Sequence, residues 1–415
     1  MGGMERPAAT PLGGAVRGLF AVAMAIFLVT VGIGMANGLD LIEFDRSTIL
    51  THVHAGTLGW ITLSVMAVVL WYFASRAEEL GGLGVGGQAL AWAAIVGVPI
   101  YVAAFWSGDH TFRAVGGTFV LVVIYGAFLW ALVASRRSAV TVPGLAFLAG
   151  LLTLCIGSTI GVLVQVGYAT SSEILPTADA IGAHVAAQAF SYLVLVGMGI
   201  VEWRLMPATG WLSRAGIAQV AALFIGGLVL SLGSLAGALQ AAGGLNLLAE
   251  LVAVVIFVGR FIRPVLGATW LRPTAQRQFS IAAVFIVVDI AILVYLIYAV
   301  LTGVYGEPGT ADFTNLPVWL IFALDHAIFI GVMTNLIFGL QWVLTRGGDG
   351  RWVWADHIVF WGVNIGLVGF VIGLAAESAE LKRVFSPIMG LSILVGLALY
   401  AARLWDTRRQ AIEPA

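Results

Sequence analysis

The chain has little charge and almost no cysteine. Only 10% of its 415 residues are charged and 60% are hydrophobic, whereas a soluble globular chain carries about 25% charged residues. The formal net charge of −1 gives no reason to expect a nucleic-acid partner. The single cysteine, Cys155, excludes an intramolecular disulfide and a thiolate metal cluster. These shortages indicate an all-α integral membrane protein that lies in the lipid bilayer.

Long apolar runs take the place of the missing charges. A transmembrane helix needs about 20 consecutive, predominantly apolar residues, and we expect twelve such helices. They cover approximately residues 16–37, 50–75, 87–106, 112–135, 143–168, 178–203, 213–240, 243–264, 276–303, 316–345, 353–375 and 384–405. The sequence therefore predicts one membrane domain, 1–415, with a twelve-helix bundle at 16–405 and tails at 1–15 and 406–415.

Basic residues are distributed unevenly between the two ends of the predicted helices. Of the 20 Lys and Arg, only Arg46, Arg113, Lys382 and Arg383 fall on the side opposite the termini. The side shared by the termini carries the others, which are Arg6, Arg17, Arg76, Arg136, Arg137, Arg204, Arg214, Arg260, Arg263, Arg272, Arg277, Arg346, Arg351, Arg403, Arg408 and Arg409. Because basic residues remain cytoplasmic, we predict a multi-pass protein of a bacterial-type plasma membrane with both termini in the cytoplasm.

Two histidines enter the second predicted helix within the stretch 51–60, THVHAGTLGW. Histidine is costly in hydrocarbon unless it faces the bundle interior and binds something. Residues i and i+2 lie about 200° apart on a helix, so His52 and His54 must serve two pockets. Gly56 and Gly59 would let a large flat ligand approach the backbone, which fits haem better than a bare ion. Alternatively, the two histidines bond loop carbonyls at the helix entry.

Two further histidines, His184 and His326, lie in helices 6 and 10, which enter from the same face as helix 2. The spacing of four helices suggests three arcs of four with pseudo-threefold symmetry. In such a bundle, either His52 or His54 pairs with His326 and the other with His184. No C-x-x-C-H motif is present, so any haem is held non-covalently.

At this point the chain resembles subunit I of the haem-copper oxidase and nitric oxide reductase superfamily, whose twelve helices form three arcs of four. The stretch 51–60 is similar to the tenth-helix motif of the C-family oxidases, in which two histidines ligate two different haems; here it lies on helix 2. The resemblance implies two b-type haems, an electron donor such as a cytochrome c, a cupredoxin or a quinol, and a second membrane subunit. The implied iron ligands are His52, His54, His184 and His326.

The chain departs from that family at the copper site. The family holds copper with one histidine on helix 6 and an adjacent pair on helix 7, but no histidine lies in 211–239. Gln188 stands four residues after His184, where many of those oxidases have a redox tyrosine, and Tyr192 is two turns away. We therefore expect no copper and predict electron transfer, with reduction or binding of O2 or NO if a haem has an open site. The catalytic residues stay unassigned.

Secondary features concern the surroundings of the haems. His110 and Arg113 lie where haem propionates would emerge and could bond them, or they belong to an ordinary polar loop. Asp325 could orient an imidazole of another helix, directly or through a water. His357 begins helix 11 at the opposite end and is not expected to be a ligand.

Two acids lie in the membrane outside the histidine layer. Glu250 and Asp289 could relay protons or, when neutral, bond a neighbouring helix. No run of polar residues joins the cytoplasm to the histidines, so we do not expect proton pumping. The alternative function is a non-redox transporter or haem carrier that uses the same histidines.

Overall fold

The described part of the chain forms twelve long helices. The computed structural model describes residues 12–77, 79–207, 212–307, 316–345 and 351–412, of which 407–412 are described as backbone only. The structure is 85% helix, and no strand occurs in those ranges. The helices are α1 Gly13–Gly38, α2 Arg46–Ala74, α3 Gly82–Ser107, α4 His110–Ser135, α5 Val142–Thr170, α6 Thr177–Leu205, α7 Arg214–Leu235, α8 Leu239–Leu266, α9 Ala275–Thr302, α10 Val318–Leu344, α11 Val353–Ala375 and α12 Ala379–Asp406. Each is long and apolar enough to cross a membrane, as the apolar runs predict.

Several helices extend beyond the apolar runs. α2 begins at Arg46, four residues before its run, because the Asp45 side chain accepts a hydrogen bond from the Thr48 backbone N–H at 2.8 Å. Such a cap satisfies one of the unpaired N–H groups at a helix start. A polar first turn can therefore precede the hydrocarbon-facing residues.

The predicted tails are shorter than expected. α1 begins at Gly13, and α12 continues beyond Asp406 to Ile412. The apolar run marks the part of a helix that suits hydrocarbon, and a helix can extend past it into water. The remaining tail residues, including Arg6, lie outside the described residues, as does Arg346.

Three helices form the centre of the bundle. In their most apolar stretches, 72, 78 and 72% of the residues of α2, α6 and α10 are buried, against 33–56% in the other nine. The indole N–H of Trp60 donates to Thr334 Oγ1 at 3.0 Å and joins α2 to α10. The hydroxyl of Tyr192 donates to Thr62 Oγ1 at 3.3 Å and joins α6 to α2. The three histidine-bearing helices therefore meet, as the predicted arrangement requires.

Each central helix contains a π-helical segment, and in the described ranges no other helix does. The segments are Ala55–Thr62 in α2, Gln188–Leu193 in α6 and Ala327–Thr334 in α10. The final threonines of two segments bond back five residues: Thr62 Oγ1 donates to Thr57 O and Thr334 Oγ1 donates to Phe329 O, both at 2.9 Å. π segments are rare and often occur at functional sites. Here they follow the histidines directly or within one turn.

Candidate haem-binding cavities

Two cavities flank α2 near the end of the bundle where the even-numbered helices begin, which we call the histidine end. The large cavity, of about 470 Å³, contains His54 and His184 on its wall. The small cavity, of about 170 Å³, contains His52 and His326. The two neighbouring histidines of α2 thus face different cavities, and His52 is the one that shares a cavity with His326.

Two of the four imidazoles bond a backbone carbonyl of the preceding helix. His52 Nδ1–H donates to Thr30 O of α1 at 2.9 Å, and His184 Nδ1–H donates to Gly157 O of α5 at 2.7 Å. A carbonyl oxygen only accepts, so the proton of each ring lies on Nδ1. These two residues hold equivalent positions in the α1–α2 and α5–α6 pairs.

The other two imidazoles bond their own helix, one turn earlier. His54 Nδ1–H donates to Leu50 O and His326 Nδ1–H donates to Phe322 O, each at 2.7 Å. Each cavity therefore combines one histidine bonded across helices with one bonded along its own helix. The two cavities are built on the same plan.

The hydrogen bonds leave one nitrogen of each ring available. With the proton on Nδ1, Nε2 carries the lone pair, and within the described residues no Nε2 of the four rings has a hydrogen-bond partner. Histidines that bind a metal usually donate their other ring N–H to an oxygen, which fixes the ring and raises its basicity. All four histidines meet this condition.

Asp325 accepts no direct hydrogen bond from any of these four imidazoles, because all four rings bond backbone carbonyls instead. An orienting role of Asp325 through a water stays a prediction. Asp325 lies on the wall of both cavities together with Val53 and Phe329. These three side chains therefore separate the cavities, which are direct neighbours.

Glycines pack against two of the imidazole rings, but they are not the glycines that the sequence pattern predicted. Gly56 lines the small cavity. Gly59 lines neither; a Cβ there would lie 2.3 Å from Ile26 Cγ2, so this glycine serves the packing of α2 on α1. The sequence pattern missed Gly34 and Gly161, where a Cβ would lie 2.9 Å from a ring atom of His52 and of His184, respectively. Each stands four residues after the carbonyl that its histidine bonds.

The wall of the large cavity includes the two polar residues predicted to lie beside propionates. His110 is exposed and its ring lies 5.1 Å from that of Tyr168. Arg113 is buried and donates to Ala104 O at 3.3 Å and to Phe105 O at 2.8 Å. Its guanidinium therefore already binds the carbonyls at the end of α3, the role of an ordinary structural arginine, although both residues line the cavity.

Two tyrosines also line the large cavity. Tyr101 of α3 and Tyr192 of α6 belong to its wall, although Tyr192 lies two turns after His184 in the sequence. Tyr192 lies inside the π-helical segment 188–193, where side-chain directions differ from those of an α-helix, so α-helical spacing alone could not assign it to the cavity. Buried tyrosine hydroxyls of this kind need a partner, and Thr62 provides one.

His357 lies apart from both cavities. Arg277 Nη1 donates to its Nδ1 at 3.4 Å, at the end of the bundle where the odd-numbered helices begin, which we call the arginine end. It lines neither cavity.

No family model matches the sequence, and no curated protein is significantly similar to it. The choice of a function therefore depends on the contacts of the two cavities.

Proposed function

We propose that this protein is a membrane-embedded b-type haem protein that transfers electrons. The observation that carries the proposal is the state of the four histidines: each donates Nδ1–H to a backbone carbonyl and keeps Nε2 free beside a cavity. His54 and His184 would hold one haem iron, and His52 and His326 the second. A bound haem supplies an iron that accepts and returns one electron.

Of the two cavities, the large one suits a haem better. Its volume of about 470 Å³ lies within the range of about 300–1,000 Å³ that is usual for ligand sites. Apolar side chains of α4 and α5 line it, and His110 and Arg113 also belong to its wall, where they could bond propionates. The His54 ring is held flat against Phe105, with 3.7 Å between ring centroids.

The small cavity has the same pair of ligands but less room. At about 170 Å³ it is below the usual range, so a haem there requires side chains such as Phe329 to move aside. The proposal for this site depends on its histidines rather than on its volume. Because Val53 belongs to both walls, electrons would pass between neighbouring sites.

The arrangement of the helices supports a pseudo-threefold plan of three arcs. In both the α1–α2 and the α5–α6 pair, a histidine ring bonds a carbonyl of the first helix and packs on a glycine one turn later. In both α2 and α10, a histidine bonds a carbonyl of its own helix. A π segment occurs in each of α2, α6 and α10. These repeats at every fourth helix are what three related arcs would produce.

The proposal includes an orientation and partners. With the arginine end in the cytoplasm of a bacterial-type plasma membrane, both cavities lie near the outer face. A cytochrome c, a cupredoxin or a quinol would then supply electrons from that side, directly or through a second membrane subunit. Reduction of O2 or NO requires an iron with an open coordination site.

Purification after expression with ample haem supply tests the proposal. We expect a Soret band, sharp α and β bands after reduction, and two haems per chain. Carbon monoxide added to the reduced protein should shift the Soret band only if an iron is open. His184→Ala should remove the haem of the large cavity and His326→Ala that of the small one, whereas His357→Ala should keep both. A colourless protein would overturn the proposal and favour the transporter.

A further inference from the structure

The space around the three central helices has three intervals. The α2–α6 interval contains the large cavity and the α10–α2 interval contains the small one. The third interval, between α6 and α10, is closed by α8 and α9: Phe190, Leu247, Leu293 and Leu324, one from each of these four helices, pack together there. It has no histidine.

Polar groups without partners lie on the helices around this third interval. Both carboxyl oxygens of Glu250, both amide atoms of Asn246, one carboxyl oxygen of Asp289 and the hydroxyl of Ser191 are buried and make no hydrogen bond within the described residues. The exposed fraction of each of these side chains is 0 or 1%. Native proteins leave few such groups unpaired, and an ordered water or an ion is a common reason.

These groups lie close together. Asn246 and Glu250 are one turn apart on α8, so they share a helix face. Asp289 of α9 lies within electrostatic range of Glu250 and of Asp325 of α10. Ser191 of α6 lies against α7, where a Cβ on Gly227 would be 2.6 Å from its Oγ, and Asn246 lies against the preceding glycine. Four helices therefore direct polar side chains to one region.

The chemistry of the cluster favours water and protons over a metal ion. Within the described residues no three carboxyl, histidine or cysteine side chains converge as metal ligands, and no ion pair involves either acid. A carboxylate buried without a counter-charge takes up a proton. A buried water makes about three hydrogen bonds to polar groups that lack other partners, and this cluster offers them.

We propose that the third interval holds a hydrated proton-exchange site in which Glu250 and Asp289 are protonated and are bridged by water that also bonds Asn246 and Ser191. An internal proton store at this place would serve any reaction in the cavities that takes up protons with electrons. That use depends on the proposed function, whereas the store itself does not.

Infrared spectroscopy of the purified full chain tests the site whether or not haem is bound. We expect C=O absorption of neutral carboxylic acids that is lost in part in Glu250→Gln and in part in Asp289→Asn. Transfer to D2O should shift both bands promptly, because water reaches the acids. Asn246→Leu should slow the shift by removing a ligand of the water.

Glu202→Gln provides the matched control, because Glu202 is buried in α6 but is paired with Arg260 and should contribute no neutral-acid band. Bands that do not shift in D2O would show a dry cluster and overturn the proposal. Absence of these bands, with a stability that depends on added Na+, would replace it with a cation site. The D2O shift and the Na+ dependence are both measured on the unmodified protein, so a variant that fails to fold does not block the test.

Discussion

Backbone carbonyls fix the four imidazole rings of the cavities. A backbone acceptor has a position set by its helix, so the ring direction depends on helix packing and not on a second flexible side chain. For His52 and His184, the packing that brings the carbonyl near also requires a glycine one turn later, at Gly34 and Gly161. These glycines are therefore part of the candidate sites, although they bind nothing themselves.

Gly34→Ala should disturb the small cavity alone. The new Cβ would lie 2.9 Å from His52 Cε1, closer than van der Waals contact permits, so the ring must turn away from Thr30 O. We expect haem content to fall from two to one per chain, with the band of the large-cavity haem unchanged. Gly32→Ala on the same helix is the control, because a Cβ there meets nothing within 4 Å. Equal spectra for the two variants would contradict this role.

Side-chain amides join α10 to α11 on the side of the cavities that faces the arginine end. Asn335 Nδ2 donates to Asn364 Oδ1 at 2.9 Å, and Asn364 Nδ2 donates to Asn335 Oδ1 at 3.2 Å. Each amide also donates to a carbonyl of its own helix, so nearly all of their bonding capacity is used. The pair fixes the register of α10, the helix that carries His326.

Asn364→Leu should destabilise the protein by about 1–3 kcal/mol, because it leaves the buried Asn335 amide with unpaired groups. The double variant Asn335→Leu with Asn364→Leu should recover part of that loss, since replacing both partners by apolar groups can be nearly neutral. Unfolding in detergent, followed by circular dichroism for the wild type, both single variants and the double variant, gives the coupling energy. Additive effects would mean that the amides act independently.

Charge divides the whole molecule into two ends. Among the described residues, arginines gather where the odd helices begin, and part of them are neutralised inside the protein: Arg403 donates to both carboxylate oxygens of Asp356 at 2.8 Å. The exposed charged residues of the histidine end are mainly acidic, including Glu43, Asp109 and Glu173. From the positive-inside rule we predict that the arginine end is cytoplasmic.

Cysteine labelling should establish this orientation. The native Cys155 is fully buried, so the background is low. Ile174, 45% exposed at the histidine end, and Leu271, 78% exposed at the arginine end, are the positions to change. Ile174→Cys should react with a membrane-impermeant maleimide in intact cells, and Leu271→Cys only after permeabilisation. The reverse pattern would invert the protein and place both cavities near the cytoplasm.

Hydropathy predicted all twelve helices because the cost of placing polar groups in hydrocarbon acts on each run separately. The same apolar runs also predicted that the histidines lie in one layer, since the depth of a residue in the membrane follows from its position along its helix. Helix boundaries were less accurate, because caps such as Asp45 and the polar first turns depend on local hydrogen bonds and not on hydropathy.

The amino-acid sequence by itself determined the number of helices, the charge difference between the two ends and the choice of α2, α6 and α10 as the histidine carriers. Only the tertiary structure decided which histidines share a cavity, that Gly59 packs on Ile26, and that Tyr192 reaches the large cavity. The physical reason is that a ring direction depends on π-helical turns and on carbonyls of a neighbouring helix, such as Thr30 O for His52. Those contacts form only when the helices pack, and no local pattern encodes them.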